Sequence, residues 1–208
     1  MHYVIRKVPE RDTSILESIL GNDVIVYSDE QHKGALNAFI DVLNRVNDDA
    51  VFIQDDMILC RNFKKRVSEY INSHKDEVVV FSNNDNDKEC KDARHEGYYS
   101  SMIAGWQLCT YIPLKYAKGF LEWWFIKGGN KKVPKYYIQR QYDDFCFNRY
   151  LYEIGQPVFL VVPNLAGHPK NESTISKRSY RITHNFNYED TDPLYGNVKD
   201  KKYENKIG

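Results

Sequence analysis

The apolar positions of the first eighty residues alternate between two periods. His2 to Val8 (HYVIRKV) reads as a strand stopped by Pro9. Ser14 and Glu17 then have capping-box spacing, and Ile15, Leu16, Ile19 and Leu20 form the stripe of a short helix ending at Gly21. Asp23 to Ser28 (DVIVYS) is a second strand, apolar through its centre, which predicts burial on both faces. Leu36, Phe39, Ile40, Leu43 and Val46 fall on one face of a second helix. Ala50 to Gln54 is the third strand. Phe63, Val67, Tyr70 and Ile71 mark the next helix, and Glu77 to Ser82 (EVVVFS) the fourth strand. This β-α-β-α-β order predicts an α/β fold with a mostly parallel, twisted central sheet flanked by helices.

Beyond residue 82 the pattern weakens. Asn83 to Tyr99 is polar and reads as a loop, and Met102 to Pro113 as a strand or strand pair. Leu114 to Ile126 contains a helix bearing Trp123 and Trp124, followed by a basic, glycine-containing loop to Lys135. Asp143 opens a helix running to about Ile154 and closed by Gly155, and Pro157 to Pro163 (PVFLVVP) is a last core strand. From Ser176 hydrophobicity drops. The chain thus divides into a domain over 1–175 and a polar, tyrosine-rich extension over 176–208, expected to be partly disordered or wrapped over the domain.

Composition narrows the function classes. With 208 residues, 42% hydrophobic and 14% aromatic, the chain suits one globular domain. Its formal net charge is zero, so no global field draws it to nucleic acid or an anionic membrane. No run of eighteen apolar residues suggests a transmembrane segment, and MHYVIRKVPERD lacks a signal peptide's apolar block. Cys60, Cys90, Cys109 and Cys146 are scattered without CxxC spacing, which predicts reduced thiols in a cytoplasmic protein and no zinc site.

Three sequence-distant features carry candidate chemistry. The third strand ends in Gln54-Asp55-Asp56, where adjacent carboxylates repel and cost desolvation. That cost becomes reasonable if a divalent cation sits there, although Asp pairs also mark plain turns. In an open α/β sheet, ligands bind outside the carboxyl ends of the strands. Asp143 and Asp144 open the late helix, where acids also complement the helix dipole. His168 follows the last core strand; a lone histidine there is more often a loop or core residue than a ligand, but its position suits a carboxylate-plus-imidazole metal site.

Phe52-Ile53-Gln54-Asp55-Asp56-Met57-Ile58-Leu59-Cys60-Arg61-Asn62-Phe63, followed by Asp143-Asp144, Gly155-Gln156-Pro157 and Pro163-Asn164-Leu165-Ala166-Gly167-His168, resembles the small metal-dependent glycosyltransferases of the GT-A fold found in phages, large DNA viruses and bacteria. The resemblance spans roughly residues 1 to 175. It implies a single GT-A-like domain with a Rossmann-like N-terminal half, a UDP- or GDP-sugar donor, Mn²⁺ or Mg²⁺, and a carbohydrate or other hydroxyl acceptor. Asp56 and His168 are then the metal ligands, and Asp144 or Asp143 faces the transferred sugar or acts as base. Gln54, standing where many relatives have an acid, groups with Asp55 as donor-binding.

Arg6, Arg11, Asp29, Lys33 and Asn37, at or after the first two strands, are further donor-binding candidates, with solvated surface as their alternative. Trp106, Trp123 and Trp124 are candidates for an acceptor platform, with a core role as the more frequent use of such residues. Two other readings stand beside the transferase: a metal-dependent nucleotidyltransferase, and a nucleotide- or sugar-binding module of the same fold without turnover. The absence of GxxxxGK removes P-loop enzymes.

Overall fold

The computed structural model describes residues 1–82, 97–100, 109–168 and 186–196. Strands β1 (His2–Lys7), β2 (Val24–Ser28) and β3 (Ala50–Gln54) alternate with helices α1 (Ser14–Leu20) and α2 (Ala35–Arg45). They are followed by β4 (Ile58–Leu59), α3 (Phe63–Ser73), β5 (Val78–Val80), β6 (Gly97–Ser100), β7 (Cys109–Ile112) and α4 (Leu114–Phe125). The short helix α5 (Lys135–Gln139), α6 (Asp143–Glu153), β8 (Val158–Val161) and β9 (Ala166–Gly167) come last. Among the described residues no helix is long and apolar enough to cross a membrane.

Among the described residues, seven strands form one sheet in the order β2-β1-β3-β7-β5-β8-β6. The pairs β1–β2, β1–β3 and β5–β8 are parallel, whereas β3–β7, β5–β7 and β6–β8 are antiparallel. Five of the seven strands thus run in one direction, with β7 and β6 running against them, and the first half keeps the parallel β-α-β-α-β arrangement compatible with a Rossmann-like fold. β7 is the strand that changes the character of the sheet, running antiparallel between β3 and β5. Asp49 fixes its exit: one carboxylate oxygen accepts the Tyr111 hydroxyl at 3.0 Å and the other accepts the Leu114 amide at 2.7 Å.

The strand β2 also departs from expectation. Its apolar centre predicted burial on both faces, yet Ile25 and Val26 are exposed, at 43% and 39%. The strand lies at the sheet edge, and Tyr27 is its one buried residue. Trp123 and Trp124 are buried in the core rather than offered to a sugar. They pack with Phe120 and Tyr150, and the Trp123 indole N–H donates to Glu153 at 2.9 Å. Trp106 lies outside the described residues.

Two hydrophobic layers cover the sheet. On one face α2, α4 and α6 enclose Phe39, Phe52, Phe120 and Phe147. Phe120 is fully buried, with the rings of Phe39, Trp123, Trp124, Phe147 and Tyr150 all within 6.0 Å of it. On the other face Ile5, Ile53, Phe63 and Phe81 pack with Leu16 of α1 and Val67 of α3. Phe186 and Tyr195, both in the polar extension, are buried in this second layer. Removing the central ring of the first layer leaves a cavity that its rigid aromatic neighbours cannot fill. Phe120→Ala is expected to lower unfolding free energy by about 3–5 kcal/mol, measured by urea titration. A loss below about 1 kcal/mol would contradict this packing.

Candidate functional site

The site begins where β1 and β3 end side by side. Arg6 lies opposite Gln54, and the Asp55 amide donates to the Arg6 carbonyl at 3.1 Å. The chain then turns, with the Met57 amide on the Gln54 carbonyl at 3.2 Å. Asp55 is pinned within the turn, its Oδ2 accepting the Val8 amide at 3.0 Å.

Four residues of sequence after the acids decide what they meet. Ile58 and Leu59 form β4, which pairs antiparallel with β9 in the register Ile58↔Gly167 and Leu59↔Ala166. Both Leu165 and Ala166 donate their amides to the Phe81 carbonyl, tying β9 to the end of β5. This pairing sets His168 beside the turn, with its Nε2 2.9 Å from Asp56 Oδ2. The imidazole is buried, at 5% exposure. Arg11 closes the group from the β1–α1 connection, its Nη1 3.4 Å from Asp56 Oδ2 and 3.6 Å from Asp55 Oδ1.

The two carboxyls are driven apart electrostatically. Burial and the neighbouring Asp56 charge push the Asp55 carboxyl up, against the opposing pull of Arg11 and the Val8 amide. Burial acts on Asp56 in the same sense, but the hydrogen bond and charge of His168 and the Arg11 guanidinium outweigh it and hold that carboxyl low. Asp56 therefore stays an anion in a confined place. Its second oxygen, Oδ1, is buried with no hydrogen-bond partner among the described residues.

An orphaned carboxylate oxygen beside an imidazole suits a hard divalent cation. Octahedral Mg²⁺ holds ligands at about 2.0–2.1 Å, so two adjacent ligands lie about 3 Å apart, close to the Asp56–His168 spacing. Among the described residues no cluster of three or more His, Cys, Asp or Glu is arranged to hold a metal. An ion at Asp56 and His168 would find no third His, Cys, Asp or Glu ligand among the described residues, and Mg²⁺ commonly fills such positions with water and phosphate oxygens.

A second cluster lies on the other face of the same strand ends. Arg6 Nη1 pairs with Asp143 Oδ2 at 2.5 Å, both side chains being nearly buried, and its guanidinium stands 5.0 Å over the Phe39 ring. Arg6, Phe39, Thr110, Asp143, Asp144 and Phe147 line a small cleft. Arg6 Nε and Thr110 Oγ1 are buried there without hydrogen-bond partners among the described residues. Neither acid is the N-cap of α6, which is Tyr142. Asp143 and Asp144 occupy the first turn, where their charge complements the helix dipole, and Asp144 Oδ1 accepts the Phe145 amide at 2.8 Å.

The remaining donor candidates separate. Asp29 is buried at 6% exposure; Oδ2 accepts the Gly34 amide at 3.2 Å, and Oδ1 has no hydrogen-bond partner among the described residues. Lys33 is drawn along α2 to Asp41 at 2.5 Å, and the Asn37 side chain donates to the Lys33 carbonyl, so both make local helix contacts. The Asn37 amide meets Gln141 Oε1 at 3.2 Å, and Gln141 holds a left-handed φ of 57° just before α6. Gly34 makes that approach possible, because a Cβ there would lie 2.7 Å from Gln141 Cγ.

The residues that sequence reading passed over are Tyr188 and Tyr195. The Tyr188 hydroxyl donates to the His168 carbonyl at 2.7 Å, and the Tyr195 hydroxyl lies 3.3 Å from both the Leu59 amide and the Met57 carbonyl. Their only signal in the sequence was the abundance of tyrosine in an otherwise polar extension.

The opposite shifts of the acid pair have opposite consequences for stability. Asp56, held below its unfolded value, stabilises the fold above about pH 4 and loses that contribution as pH falls through its folded pKa. Asp55, raised, contributes most below about pH 4, and its ionised form at neutral pH opposes folding. In EDTA at pH 7, Asp55→Asn is expected to raise Tm and Asp56→Asn to lower it, with both approaching wild type below pH 4. Melting shifts of the same sign for the two variants would contradict the division. No family model matches this chain, and no curated protein matches it.

Proposed function

We propose that this protein is a divalent-cation-dependent glycosyltransferase of the GT-A kind, moving a sugar from a nucleoside-diphosphate donor to a hydroxyl of a carbohydrate or other acceptor. One observation carries the reading: Asp56 and His168, more than a hundred residues apart, meet at 2.9 Å outside the carboxyl end of β3, with a buried carboxylate oxygen that has no hydrogen-bond partner among the described residues. The mixed α/β sheet is compatible with that fold.

Asp56 and His168 would hold Mn²⁺ or Mg²⁺. When bound, the ion supplies Lewis-acid stabilisation of the negative charge that gathers on a departing diphosphate. Arg11 adds a fixed positive charge on the same side, suited to a phosphate oxygen. Asp55, anchored by the Val8 amide, presents a carboxylate toward the donor ribose or sugar hydroxyls. Asp29, with one buried oxygen lacking a partner among the described residues, suits a hydrogen-bond donor of the base or ribose.

The cleft on the other face supplies the remaining chemistry. Asp144 lines the same cleft as the Arg6–Asp143 pair, and the sugar-facing role is assigned to it first, with Asp143 second. In an inverting reaction the Asp144 carboxylate takes the proton of the attacking acceptor hydroxyl as the new glycosidic bond forms and the bond to the leaving diphosphate breaks.

Gln54, standing where many of the resembled enzymes have an acid, favours a second reading, a nucleotide-binding module without turnover. The same experiments separate the two. A panel of UDP, GDP, CMP and dTDP sugars with Mn²⁺ is expected to include one that stabilises the protein selectively, by about 2.7 kcal/mol at a hundredfold excess over Kd, and only with the metal. Slow donor hydrolysis should vanish in Asp56→Ala and fall at least about tenfold in His168→Ala, since losing even an outer partner of a metal ligand costs that much. Wild-type turnover in both variants would reject the site. Nucleotide binding with no hydrolysis or transfer by the wild type would select the binding module.

A further inference from the structure

The segment 186–196 is built onto the two short strands that carry the candidate metal ligands. Phe186 bridges to Asn164 beside β9, and Thr191 bridges to Cys60 beside β4. The Arg61 amide donates to the Asp190 carbonyl at 2.7 Å, and the Asp192 amide to the Leu59 carbonyl at 3.0 Å. Asp190 also receives Arg66 of α3 at 2.7 Å. The side chains continue the pattern. The Phe186 ring lies flat enough on the backbone that a Cβ at Gly167 would stand 2.4 Å from it, and Tyr188 packs edge-on against Phe186 with centroids 4.9 Å apart.

From there two hydroxyls reach the site from behind. Tyr188 donates to the carbonyl of His168 itself, and Tyr195 sits between the amide of Leu59 and the carbonyl of Met57, the residue after Asp56. One segment thus holds both halves of the Asp56–His168 pair, without contributing a ligand.

We infer that residues 186–196 are a positioning clamp for the cation site, with Tyr188 setting His168 and Tyr195 setting the turn after Asp56. A two-residue pairing such as β4–β9 is too short to hold its register alone. The clamp adds side contacts from behind to those that Phe81 makes and stiffens a short antiparallel pair into a seat for an ion. This inference rests on the glycosyltransferase reading for the identity of the ion, and on the contacts alone for the clamp.

The test uses the full chain and Tyr188→Phe and Tyr195→Phe, which keep the rings and remove the hydroxyls. Lys132→Met serves as control, removing an exposed pair with Glu153 that lies outside the segment 186–196 and residues 57–60 and 164–168. Two quantities are read: hydrogen exchange of residues 57–60 and 164–168 in EDTA, and Mn²⁺ affinity with UDP present. Each tyrosine variant is expected to speed exchange in those two segments alone, with a Tm close to wild type, and to weaken Mn²⁺ about threefold to tenfold. Lys132→Met should leave Mn²⁺ affinity within about twofold. Unchanged exchange at both segments would overturn the clamp, as would faster exchange spread across the whole sheet. If the wild type binds no Mn²⁺ with any nucleotide, the transferase reading fails while the exchange pattern still decides the clamp.

Discussion

The arrangement depends on one buried contact between an aspartate and a histidine. Asp56 lies in a place that penalises its charge, and it stays ionised because His168 and Arg11 are there. Two buried groups of opposite tendency stabilise each other only while their geometry is held, because desolvation consumes most of the attraction. The surrounding structure is therefore organised to hold them. β4 and β9 set the register, the Phe81 carbonyl receives two amides of the β9 approach, and Tyr188 fixes the carbonyl of the histidine.

The sheet serves the same end at a larger scale. Parallel pairing of β1 with both β2 and β3 brings three loop-forming ends to one edge, and Asp29, Arg11 and the Asp55–Asp56 turn all leave from it. Side chains alternate across the sheet, so the strand ends supply two different sites. Asp55 and Asp56 turn toward the histidine, while Arg6 passes to the opposite face and meets Asp143 at the start of α6. In the proposed reading, diphosphate chemistry belongs to the first group and acceptor chemistry to the second.

Much of this was legible in the sequence where local pattern and tertiary role agree. The alternation of strands and helices up to residue 80 is written in apolar periodicity, and α2 and α3 follow their stripes. The acids after β3 and the histidine after β8 stood out because charged or polar groups at the ends of apolar runs are costly without a purpose. Periodicity does not encode neighbours, and the differences arise there. The run in β2 reads as doubly buried, but the strand lies at the edge and leaves Ile25 and Val26 exposed. The antiparallel direction of β7 is seen in its pairing with β3 and β5, which no pattern within Cys109–Ile112 specifies. Trp123 and Trp124 are amphipathic aromatics with two possible uses, and only packing against Phe120 selects the core. The polar composition of the extension concealed Phe186 and Tyr195, whose burial comes from two isolated side chains instead of a periodic stripe.

The account makes the cation site a meeting of residues from β3's end and β9's end, completed by substrate oxygens and braced from behind. Its most direct test is a crystal grown with Mn²⁺ and a nucleoside diphosphate, with anomalous data collected at the manganese edge. The account predicts a single strong anomalous peak within about 2.0–2.3 Å of both an Asp56 carboxylate oxygen and His168 Nε2, with phosphate oxygens completing the shell. A nucleotide bound with manganese elsewhere, or a peak that touches neither side chain, would contradict it.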